Sequence, residues 1–375
     1  MPGADNPGPG LRRDDAVPMR AVELIRARTA RLTSLLGIEH AIVGGPMAGV
    51  NTPELVAAVS KAGGLGSLGC GMMEPQAIEA AIGRIRQLTD RPFAVNLFVT
   101  PQPAVDEAQV LRMQSRLARY RSELGLPRGK LPAAFAPEFA GQFDAVLAAR
   151  APVFSFTFGA LDTVRLEALH AQGAKVIGTA SCVREAVQLA ELGCDAVVVS
   201  GIEAGGHRPT FAVPAQAAQI GLFALLPQVA AAVELPLIAA GGVMTAEQIA
   251  AALLLGAGGV QLGSALLRTP ECGASEAYKA ALAGIEDTST RLTRAFSGRW
   301  ARGVANRFMQ EVDAAGDIPE YPVQNRLTQD IRAAANAQGK AEYVSLWAGQ
   351  AAGLATTDPA GDVVRRLQRE LEALL

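Results

Sequence analysis

The run AVVVSGIEAGGH, Ala196–His207, sets a buried strand directly against a glycine-rich turn. Ala196–Ser200 is short, apolar and rich in β-branched residues, the composition of a strand covered on both faces. Gly201, Gly205 and Gly206 then allow a tight turn that ends on His207. The pattern recurs downstream. Leu237–Ala240 runs into Gly241 and Gly242, and Gly259–Leu262 runs into Gly263 and Ser264. Toward the N-terminus, further short apolar runs fall at Ala41–Met47, Gly64–Leu68, Phe93–Val99, Val153–Phe158 and Lys175–Thr179. Helical segments separate the strands. Pro53–Ala62 has Thr52 as its cap and Pro53 at its first position, where a missing N–H costs no hydrogen bond. Ala21–Leu36 and Pro75–Leu88 read as helices, and Pro101–Arg150 holds at least two more.

Eight buried strands alternating with helices predict a parallel α/β architecture. The competing layout is an open, doubly wound sheet. The strand count and the glycine clusters at several strand ends favour a (β/α)₈ TIM barrel with an inserted helical segment and a C-terminal helical extension. The expected organisation is a loose leader over 1–20, a barrel over 21–290 with its insertion at about 101–150, and the extension over 291–375.

Composition narrows the class. Half of the 375 residues are apolar, enough for a large core, and 34 basic residues nearly balance 36 acidic ones. The basic surplus of a nucleic-acid binder is missing. No apolar run approaches the ~20 residues of a membrane span, and the N-terminus has no apolar signal core. Cys70, Cys182, Cys194 and Cys272 match neither a zinc site nor a redox pair, and read as small apolar fillers in a reducing cytosol. No metal site is expected.

In such barrels the active site lies at the C-terminal ends of the strands, and phosphate sites are commonly built by the loops after strands seven and eight. Each glycine loop alone reads more readily as a tight turn. Three on one face predict a phosphorylated ligand. His207 is one of three histidines, and it alone follows glycines at a strand top. Imidazole titrates near pH 6.5, which suits proton abstraction, although a loop histidine can also serve only to bond backbone. His40, before strand one, and His170, near a helix end, read as surface or helix-end residues.

GIEAGGHRPTF (Gly201–Phe211) resembles the EAGGH signature of the nitronate monooxygenases, formerly 2-nitropropane dioxygenases, and of related flavin-dependent enoyl-acyl-carrier-protein reductases. Gly44–Gly69, Arg91–Val99, Lys175–Ala186, Pro236–Val243 and Val260–Leu267 resemble the same group. Arg294–Phe308, Tyr321–Ala335 and Glu342–Gln350 resemble class I nitronate monooxygenases in particular. The resemblance implies FMN and no metal. It implies Pro46, Met47 and Asn96 beside the flavin, Ser200, Gly205, Gly241 and Gly242 around the cofactor, and the Gln261, Leu262, Gly263 and Ser264 segment at its phosphate. It implies His207 as catalytic base. Ser200 stands where many members have Gln, so a flavin contact there is lost or shortened. Ser264 replaces Thr and keeps the hydroxyl.

The implied activity is oxidation of alkyl nitronates, such as propionate 3-nitronate, by dioxygen to a carbonyl compound and nitrite. The implied role is detoxification in the cytoplasm. The alternatives are an FMN-dependent NAD(P)H reductase of a quinone or enoyl thioester, which the tail disfavours, and a non-catalytic flavin or phosphate-binding module. Tyr321, Trp347 and the helix around Asp330–Gln338 either cover the barrel's outside or line its pocket. Arg299 and Arg302 either pair with a substrate carboxylate or make salt bridges.

Overall fold

A computed structural model describes residues 16–100 and 105–375. Most of the expected leader lies outside these residues, and the chain is already helical from Ala16 to Leu36. The strands are β1 (Ile42–Gly44), β2 (Gly66–Gly69), β3 (Phe93–Phe98), β4 (Val153–Thr157), β5 (Lys175–Ala180), β6 (Ala196–Ser200), β7 (Leu237–Ala240) and β8 (Gly259–Leu262). They are parallel, each beside its sequence neighbour, and β8 pairs with β1. A parallel bridge between Val43 and Leu65 joins β1 to the start of β2. The sheet therefore closes into a barrel instead of leaving two edges.

Side chains alternate across each strand, and this period of two sorts the residues. On β6, Ala196 and Val198 pack in the small interior cluster with Val43, Ala94, Ile177, Ile238 and Ala240. Val197 and Val199 join the larger cluster between sheet and helices. Leu32 and Leu36 of the first helix belong to the interior cluster, so that helix plugs the N-terminal end. The opposite end stays open for a site.

The helices obey local rules. Thr52 Oγ1 accepts from Leu55 N at 3.0 Å, and Thr245 forms a capping box with Gln248 at the start of Ala246–Leu254. Glu107–Glu123 and Phe139–Ala148 lie in the insertion. Among the described residues no helix is long and apolar enough to cross a membrane.

Beyond the barrel the chain is not wholly helical. Thr290–Thr293 and Ala301–Val304 pair antiparallel, and Ala301–Val304 also pairs with a two-residue strand, Gly206–His207. The periodicity of such short strands is too brief to detect in the sequence. Their pairing draws the His207 loop under the C-terminal segment. Ion pairs tie the insertion to that segment: Arg112 to Asp317 (2.9 Å), Arg119 to Glu311 (2.7 Å), Arg307 to Glu123 (2.7 Å), and the buried Arg121 to Asp330 (2.7 Å).

Candidate active site

The open end of the barrel holds a cavity of about 650 Å³, within the range of small-molecule sites. Pro46, Met47, Asn96, Ser200, Gly205, His207, Gly241, Gly242, Gln261, Gly263 and Ser264 all line it. Leu262 does not. Strand alternation turns its side chain into the helical layer, where it is buried, and its carbonyl accepts from Gly45 N at 2.8 Å. The same alternation aims Asn96, Ser200 and Gln261 inward.

The glycines have specific reasons. Gly241 and Gly242 have φ of +118° and +72°, a region that side chains rarely adopt. A Cβ on Gly205 would fall 2.5 Å from the backbone nitrogen of Gly349. The C-terminal segment thus closes directly onto the loop. Gly349 N donates to Ser264 Oγ (2.9 Å), and Gln350 N donates to Glu203 O (3.0 Å). Glu203 also accepts from Leu222 N (2.9 Å), which pins the loop to the N-terminus of helix Leu222–Ala232. Arg208 is fully buried and bonds the carbonyls of Gly201 (2.6 Å), Ser200 (3.1 Å) and Ala218 (3.2 Å), fixing the end of β6.

On β3, Asn96 donates its amide to Ser155 Oγ (2.9 Å) and Thr157 Oγ1 (3.4 Å). Its Oδ1 has no protein partner among the described residues and is not sealed off, so it can accept from a ligand N–H.

His207 sits among Phe98, Phe158, Tyr321 and Trp347, with ring centroids 5.4–6.4 Å away. Its Nε2 lies 2.9 Å from Ser297 Oγ. Burial, and then the charges of Arg299 and Arg332, push the imidazole pKa down to about 3. The ring is therefore neutral at physiological pH. This has a consequence for stability. Between pH 6.5 and 3 the unfolded chain binds a proton at this position that the folded chain refuses, so acid destabilises the fold. Denaturant unfolding at pH 7 and pH 5 should show a larger loss for the wild type than for His207→Asn, by at most about 1.4 kcal/mol per pH unit.

The tail question resolves toward the pocket. Tyr321, Asn325, Gln329, Arg332 and Asn336 all line the cavity, together with Trp347. They recur every three or four residues, the spacing of one helix face. That polar stripe is the signal that would have found them. Arg332 Nη2 donates to Asn325 O (2.8 Å) and Oδ1 (3.0 Å), while its Nε is buried without a partner among the described residues. Its neighbour Asp330 pairs with Arg121 instead. Arg299 and Arg302 take neither expected role. Arg299 Nε bonds Arg208 O (3.1 Å) and its guanidinium lies over Phe158, and Arg302 Nε bonds Ile202 O (2.9 Å). Both brace the His207 loop through backbone carbonyls.

His170 bonds Asp195 (3.0 Å), and His40 packs at Gly63; neither lines the cavity. Cys70, Cys194 and Cys272 are buried and Cys182 is half-buried; all four are free.

Comparison with known proteins agrees with this arrangement. The sequence profile of the family "Nitronate monooxygenase" matches residues 29–370. A probable nitronate monooxygenase of Staphylococcus aureus is 40% identical over 347 residues, covering 92% of this chain and 98% of its own. The crystal structure of nitroalkane oxidase from Streptomyces ansochromogenes superposes with a TM-score of 0.85 at 40% identity, covering 92% of this chain and 98% of that one. FabK from Thermotoga maritima superposes with a TM-score of 0.72 at 29% identity, covering 92% and 96%. The chain is an oxidoreductase and belongs to the nitronate monooxygenase family.

Proposed function

We propose that the protein is an FMN-dependent nitronate monooxygenase that oxidises alkyl nitronates with dioxygen to a carbonyl compound and nitrite. One observation carries the reading: a neutral histidine and a guanidinium with no acidic partner among the described residues line one cavity, beside left-handed glycines. Such a cavity suits a small anion and a phosphorylated cofactor together.

The residues present fit FMN. Gly241, Gly242, Gly263 and Ser264 line the cavity just after the adjacent strands β7 and β8, and a Cβ on Gly263 would meet nothing within 4 Å. Backbone amides freed of side chains suit a phosphate. The open Oδ1 of Asn96 suits a ring N–H. When bound, FMN would carry electrons from the nitronate to dioxygen. Heat should release FMN and no adenylate from the purified yellow protein, because no second dinucleotide fingerprint accompanies these loops. Released FAD would overturn the reading. Nitronate added without air should bleach the flavin. Prompt bleaching by NADH would instead favour the reductase alternative.

Arg332 holds anionic substrate in this reading. Its charge offsets that of a nitronate or of a carboxylate on the same molecule. Arg332→Ala should raise KM for propionate 3-nitronate about 10- to 100-fold, the weight of one charge-assisted hydrogen bond. Steady-state kinetics check this, and an unchanged KM would remove Arg332 from substrate binding.

A further inference from the structure

Ser297 is the sole protein hydrogen-bond partner of the His207 ring among the described residues, and the bonds it makes decide where the ring carries its proton. The serine is 1% exposed, in the turn before Ala301–Val304. Its Oγ lies 2.9 Å from His207 Nε2, 3.1 Å from the carbonyl oxygen of Arg299 and 3.3 Å from the Arg299 amide nitrogen. A hydroxyl has one proton and two lone pairs. The Arg299 carbonyl can only accept, so it takes the serine proton. The Arg299 amide can only donate, so it occupies one lone pair. The remaining lone pair faces Nε2, which must then be the N–H nitrogen.

We infer that Ser297 is a positioning residue that holds neutral His207 as its Nε2–H tautomer, and that Nδ1 is the atom that receives the substrate's α-proton. Nδ1 has no protein partner among the described residues and is not sealed, and His207 lines the cavity. The opposite arrangement would send the serine proton to Nε2. It would leave the Arg299 carbonyl without that bond and put a proton on Nδ1. The ring would then present a donor to the cavity, where a base needs an acceptor.

The transfer balances simply. The substrate C–H bond breaks and an Nδ1–H bond forms. The C–H electron pair moves into the carbon–nitrogen bond, and the negative charge settles on the nitro oxygens. The cationic ring keeps its Nε2–H on Ser297. Arg299 and Arg332 oppose that cation, while the new nitronate offsets it. No electron acceptor takes part in this step. The assignment of the accepting atom rests on His207 acting as the base; the tautomer does not.

The chain has three histidines, so a protein labelled with ¹⁵N only in histidine gives three ring patterns, and His207→Asn identifies the one that matters. Two-bond ¹⁵N–¹H correlation at pH 7 should show His207 wholly as Nε2–H in the wild type. An Nδ1–H pattern, or a mixture, would overturn the inference without any activity measurement. In Ser297→Ala the ring should lose its fixed pattern. Turnover of neutral nitroalkanes should fall about 10- to 100-fold, part of what a positioned base supplies. Turnover of preformed nitronates should fall far less, and Ser297→Thr, which keeps the hydroxyl, should restore both signals. Equal losses on the two substrate forms, or no loss on either, would overturn the positioning role. A wild type inactive on every nitronate would sink the proposed function, and the labelled spectrum would still decide the tautomer.

Discussion

His207→Asn is expected to lower turnover of neutral nitroalkanes by about 10²- to 10⁴-fold, the usual contribution of a positioned base. A neutral nitroalkane must lose its α-proton before its carbon can be oxidised. The ring that would take the proton is neutral, set within aromatic walls, and held by Ser297. Asparagine keeps a polar side chain of similar reach but cannot accept a proton at neutral pH. A preformed nitronate arrives without that proton, so its turnover should survive far better. Cofactor content should stay near that of the wild type, because the expected phosphate contacts come from the loops after β7 and β8. Both substrate forms must be assayed before they interconvert. Equal losses would assign His207 to orienting its ligands, and unchanged rates on both would leave it structural.

Replacing Gly242 with valine is expected to empty the cofactor site. Gly242 holds φ at +72°, where an L-residue costs roughly 1–2 kcal/mol and a β-branched one more. Its Cβ would stand 3.4 Å from Glu203 Cβ, the side chain that pins the loop to helix Leu222–Ala232. The substitution therefore strains the loop and puts bulk where a phosphate would approach the backbone. Flavin absorbance per protein should fall well below wild type, since strain and bulk both weaken binding and each 1.4 kcal/mol lost costs about tenfold in affinity. The far-ultraviolet circular dichroism should persist. Gly83→Ala is the matched control. That glycine lies on the exposed side of helix Pro75–Leu88 with nothing within 4 Å of its Cβ, so flavin content should not change. Full flavin loading in Gly242→Val would move the phosphate elsewhere.

Asn96 and Ser200 were named through the family resemblance, and strand parity is a local rule that agrees with both. Counting by two along Ala196–Ser200 and Phe93–Phe98 turns Ser200 and Asn96 inward, and the glycine pair after Leu237–Ala240 marks a backbone that needs positive φ. The same rule turns the Leu262 side chain outward from Gln261, so Leu262 could meet a phosphate only through its backbone amide. What could not be read was the placement of the C-terminal segment over the barrel mouth. That placement depends on the pairing of Ala301–Val304 with Gly206–His207 and on ion pairs between residues roughly two hundred positions apart. Ser297 lies ninety positions from His207 in the chain, and no local pattern joins them. The arginines mislead for a related reason. Arg299, Arg302 and Arg332 all sit in segments that resemble the family, yet Arg299 and Arg302 bond backbone carbonyls, while Arg332 lines the cavity with no acidic partner among the described residues.

The most direct test of the account is nitrite release by the flavin-loaded protein given propionate 3-nitronate in air, with oxygen consumption followed in the same vessel. The account predicts nitrite and oxygen uptake from the nitronate without added NADH or NADPH, and neither when air is excluded beyond the enzyme-bound equivalent. No nitrite from propionate 3-nitronate or from simple alkyl nitronates, with the flavin reduced instead by a nicotinamide, would contradict it.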